Sequence, residues 1–74
     1  MEKSYIFERI VLIARGLGWD EHRLTEWNDK LSKSIKENNS EAIDICNKMI
    51  ISINTEIDGY ESELDKLKHA LQDD

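Results

Sequence analysis

The sequence contains no proline, one cysteine and three glycines, and its longest uninterrupted apolar run is the stretch Ile10 to Ala14. A bilayer span needs roughly 20 such residues, so Arg9 and Arg15 on either side of that run argue against a membrane segment and against a signal-peptide core. With a single thiol, Cys46, no intrachain disulfide can form, and Cys46 with the distant His22 and His69 does not make a tetrahedral zinc set. The expectation is a cytoplasmic protein in which Cys46 stays reduced. No stretch of alternating β-branched residues suggests a strand.

What is present is apolar enough to fold. Of 74 residues, 39% are hydrophobic and 35% charged, which is neither the composition of a disordered tail nor that of a membrane protein. A chain this short buries only about 60% of its unfolded surface, and lacking disulfide and metal it is expected to gain stability from a partner. The net charge of −6 is uneven. Residues 1–40 are balanced, whereas residues 41–74 set only Lys48, Lys66 and Lys68 against nine acids. That half repels nucleic-acid backbones and anionic lipid, and favours a basic protein surface.

Helix breaks must come from glycine and from Asn/Ser clusters. Gly16-Leu17-Gly18-Trp19-Asp20 offers glycine to end one helix and a carboxylate to cap the next. Asn38-Asn39-Ser40-Glu41 gives Asn38 and Glu41 the spacing of a capping box. An all-α domain over 1–74 is expected, with three helices at about 3–16, 21–37 and 40–72. The first carries Ile6, Ile10, Ile13 and Leu17 on one stripe with Phe7, Val11 and Ala14 beside it, wide enough to need cover on more than one side. The second has the narrower line Leu24, Trp27, Leu31 and Ile35.

The third helix has the most regular pattern. Ile43, Cys46, Ile50, Ile53, Ile57, Tyr60, Leu64, Leu67 and Leu71 fall alternately on positions a and d of an unbroken heptad register, which predicts a long seam with a period of 3.5. The second helix is too short to cover this seam to its end. Either the first helix runs on in line with the second to make a long hairpin, or it folds back to leave a protruding coiled coil. Both leave apolar surface, so a coiled-coil or four-helix-type homodimer is expected.

Ile13-Ala14-Arg15-Gly16-Leu17-Gly18-Trp19, followed by Leu24 and Trp27, resembles the helix-turn-helix motif of phage and bacterial regulators over about 15 residues. The resemblance implies a recognition helix with His22, Arg23, Thr25, Asn28 and Lys30 as DNA contacts. Charge opposes it, since Asp20, Glu21, Glu26 and Asp29 would meet the same phosphates. Asp58, Glu61 and Asp65 lie on solvated positions unsuited to acid–base catalysis. Asp65, His69 and Asp73 read as solvated charge rather than a metal site. The sequence therefore points to a non-enzyme without cofactor, metal, membrane or small-molecule ligand. The expected class is a small regulator, inhibitor, antagonist, adaptor or chaperone that acts on a protein partner as a homodimer. Its contacts would be drawn from His22, Arg23, Glu26, Asp58, Glu61 and Asp65. A DNA-binding regulator and an acidic nucleic-acid mimic are the alternatives.

Overall fold

The computed structural model describes residues 3–72, and these form two antiparallel helices: α1, Lys3–Lys36, and α2, Ser40–Gln72. The hairpin is thin, 55 × 14 × 12 Å, as expected for helices of 34 and 33 residues rising about 1.5 Å per residue. Its radius of gyration of 16.7 Å exceeds the roughly 11 Å of a compact globule of this length.

The expected break at Gly16–Asp20 does not occur, and two helices replace three. Gly16, Leu17, Gly18, Trp19 and Asp20 are all helical, with no glycine at positive φ. The reason lies in the seam. Ile6, Ile10, Ile13, Leu17, Asp20, Leu24, Trp27, Leu31 and Ser34 repeat at alternating spacings of four and three, and every one is buried or half-buried. Two glycines weaken a helix by roughly 1 kcal/mol each, less than the apolar contacts on both sides gain when the stripe continues in one line. Asp20, expected as an N-cap, is instead a fully buried seam residue of α1.

All nine predicted seam positions of α2 are buried or half-buried against α1. The N-terminal half of α1 covers the far end of α2, where Ile6, Ile13 and Leu67 form a core flanked by Ile10, Leu17, Tyr60, Leu64 and Leu71. Gly16 contributes by what it lacks. A Cβ there would lie 3.0 Å from two ring carbons of Tyr60, so the glycine makes room for the aromatic ring.

The reversal sits one residue later than the expected capping box. Asn38 takes the left-handed conformation, φ 54°. The Asn38 amide donates to the Ile35 carbonyl (3.1 Å) and the Asn39 amide to the Ser34 carbonyl (3.0 Å), the paired bonds of a Schellman ending. Asn39, not Asn38, then caps α2, its Oδ1 accepting the Ala42 amide at 3.1 Å. Lys33 and Lys36 in the last turn of α1 and Glu41 in the first turn of α2 suit the helix dipoles.

Candidate functional site

Because one seam consumes one stripe of each helix, the chemistry the hairpin offers lies on its outer faces and, among the described residues, at one buried polar point that keeps an unpartnered atom. That point is Asp20. Its side chain is 0% exposed, Oδ1 accepts from Arg23 Nη1 at 3.2 Å, and Oδ2 has no hydrogen-bond partner. Its seam neighbourhood includes Tyr60, whose phenol is pushed above its ordinary value first by Glu56 one turn earlier, then by burial and by Asp20. The phenol therefore stays protonated through neutral pH. Ser34, the other buried polar group of α1, is satisfied within its helix by donating to the Lys30 carbonyl at 2.8 Å.

The two helices are clipped together by Arg9 and Glu63. The Arg9 guanidinium donates from Nε to Oε1 (2.6 Å) and from Nη2 to Oε2 (3.0 Å), a two-pronged pair spanning 54 residues of sequence. These bonds, more than the charges themselves, raise the Arg9 pKa and hold the Glu63 carboxyl below its ordinary value.

The expected partner-binding residues divide into two groups. Asp58, Glu61 and Asp65 are exposed on α2, spaced three and four apart so that they share one face of the helix. On α1, His22 and Glu26 are exposed and meet at 3.0 Å, whereas Arg23 is half-buried and occupied by Asp20. Of the other residues named as DNA contacts, Thr25 donates its hydroxyl to the Glu21 carbonyl, Lys30 lies 4.3 Å above the Trp27 ring, and Asn28 is exposed. A continuous α1 has no turn to set a recognition helix at an angle to a first helix, so the geometry implied by the helix-turn-helix resemblance is absent. Cys46 is a buried free thiol within the seam. His69 Nδ1 approaches the Asp65 carbonyl at 2.8 Å, and Asp73 lies outside the described residues. No group of three metal-ligating side chains is found among the described residues, and no helix there is long and apolar enough to cross a membrane.

The wide apolar stripe of α1, expected to be covered on more than one side, is covered by α2 on one only, and its Phe7, Val11 and Ala14 edge is on the outside. Phe7 and Val11 are 58% and 49% exposed, and with Glu8 and Leu12 they line a groove on the surface of α1. Tyr5, Trp19, Ile35, Ile45 and Ile51 are also largely exposed. The signal was visible in the sequence as a stripe too wide for one neighbour. Compared with known proteins, the chain matches no family profile, no curated protein and no solved structure.

Proposed function

We propose that the protein is a non-enzymatic, homodimeric regulator or adaptor that acts by binding another protein. The observation carrying this reading is the division of its apolar side chains. Among the described residues, Ile6, Ile13, Cys46, Ile53 and Leu67 are buried, while eight large hydrophobics are exposed. A solvent-facing apolar surface of that extent on so thin a hairpin is characteristic of chains that complete their core by association. The acidic face of α2, Asp58, Glu61 and Asp65, is the surface for the second protein, which carries a complementary basic patch and is steered to it by charge.

The test is affinity capture from the native host with identification by mass spectrometry. Wild type is compared with a variant carrying Asp58→Lys, Glu61→Lys and Asp65→Lys. The expected outcome is a basic protein held by wild type, released by salt and lost with the variant. Equal capture by both would contradict the assignment of the acidic face, and capture of DNA or RNA alone would contradict a protein partner.

A further inference from the structure

We infer that the outer stripe Phe7, Val11, Ala14 and Gly18 of α1 docks on the same stripe of a second copy, antiparallel, about a two-fold axis between Val11 and Ala14. The inference rests on the homodimeric reading above and assigns its interface and orientation.

Three observations carry it. The first is area. The chain exposes 5630 Å², whereas a compact protein of 8.7 kDa exposes about 4,700 Å². The excess of about 900 Å² belongs to the whole elongated hairpin, and it leaves the chain surface of the order that each partner buries in an interface of standard size, roughly 800 Å².

The second is shape. Phe7, Val11, Ala14 and Gly18 repeat at four, three and four residues, a second seam on α1 beside the one that α2 covers. All four are exposed, and nothing lies within 4 Å of where a Cβ on Gly18 would be. In an isologous pair, residue i meets j and j meets i. Run antiparallel, the stripe sets Phe7 over the bare backbone of Gly18 and Val11 on Ala14, twice, large against small at every layer. A parallel pairing would stack Phe7 on Phe7 and leave a gap at Gly18. Ile10 and Leu17, half-buried between the two stripes, would be sealed from both sides.

The third is charge. Glu8 and Arg15 border the stripe on the side away from α2, seven residues apart. Both are exposed, and neither takes part in a salt bridge found among the described residues. Antiparallel docking places Glu8 of each copy beside Arg15 of the other, giving two ion pairs at the rim. Charge and packing thus select the same orientation.

The experiment uses Glu8→Arg and Arg15→Glu, exposed changes that leave the seam intact, with helicity followed by circular dichroism. Each variant alone sets like charges together twice and is expected to weaken self-association by about tenfold or more. Mixing the two restores opposite charges at both contacts, so the mixture dimerises as tightly as wild type, and so does a chain carrying both changes. Dimerisation of wild type that neither single variant weakens would overturn this interface while leaving the homodimeric reading intact. A wild type that is monomeric throughout would overturn both. Weakened single variants without recovery in the mixture would overturn the antiparallel orientation.

Discussion

Ile13 and Val11 stand two residues apart in α1 and are similarly apolar, yet Ile13 is 1% exposed and Val11 49%. The inner stripe of the helix is sealed by α2, and the outer one meets solvent. Their contrast separates an apolar stripe that the chain covers itself from one that it does not. One seam is closed within the chain by the heptads of α2, and a second, built to the same spacing, is left open. The first determines whether the chain folds, and the second is the surface on which the proposed self-association rests.

The largest expected effect breaks the contrast at that pair. Ile13→Asp places an unpaired carboxylate in the closed seam and removes a core side chain, a loss of at least about 4 kcal/mol, so the helical circular dichroism signal should collapse. Val11→Asp, measured in dilute solution, should cost less than about 0.5 kcal/mol and keep its helicity. Equal loss from both would mean that the outer stripe is part of the fold.

Asp20 is the acidic residue within the closed seam, and the next effect should run the other way. Asp20→Leu replaces a buried, half-satisfied carboxylate with an apolar side chain and should stabilise the hairpin by about 1–2 kcal/mol, raising Tm by about 4–8 °C per kcal/mol. Arg23, left without its partner, is 30% exposed and can turn to water. A fall in Tm would show that Asp20 has a partner essential to the fold.

The two glycines sharpen the same inner and outer distinction more finely. Gly18→Ala adds a methyl in open space and should gain up to about 1 kcal/mol in dilute solution. Gly16→Ala pushes into the Tyr60 ring and should gain less or lose. Identical gains in thermal melts would contradict the close approach of Tyr60.

The smallest effect concerns the clip between the helices. Glu63 is held below its ordinary value, so its stabilising contribution is present above that ordinary value and is lost as pH falls through the lower, folded one. Melting temperature followed from about pH 6 to pH 3 should decline less steeply in Glu63→Gln than in wild type, and added salt should narrow the difference. A decline of the same slope in both would show that the pair is not linked to folding.

The seam of α2 was legible because nine consecutive positions kept one period, and a pattern that long leaves one arrangement of side chains. The bend at Gly16–Asp20 was misread because glycine and aspartate carry a strong local signal for ending and capping helices. The pattern that overrides it, Leu17 and Leu24 continuing one line on either side of Asp20, gains its weight only once α2 covers that line. Asn38 and Asn39 exchanged roles for a similar reason: both suit a cap, and the left-handed residue that decides between them is a property of the backbone path. Arg9 and Glu63, far apart in sequence, carry no local signal at all. The acidic face of α2 was readable from spacing, whereas the independence of the outer stripe of α1 emerged only once the inner one was seen to be filled.

Sedimentation equilibrium of wild type beside Val11→Asp tests most directly whether a second copy covers that outer stripe. At tens of micromolar, wild type should approach twice the 8.7 kDa chain mass and fall toward 8.7 kDa on dilution, with Val11→Asp remaining at 8.7 kDa and equally helical. A wild-type mass of 8.7 kDa at every concentration would contradict the account.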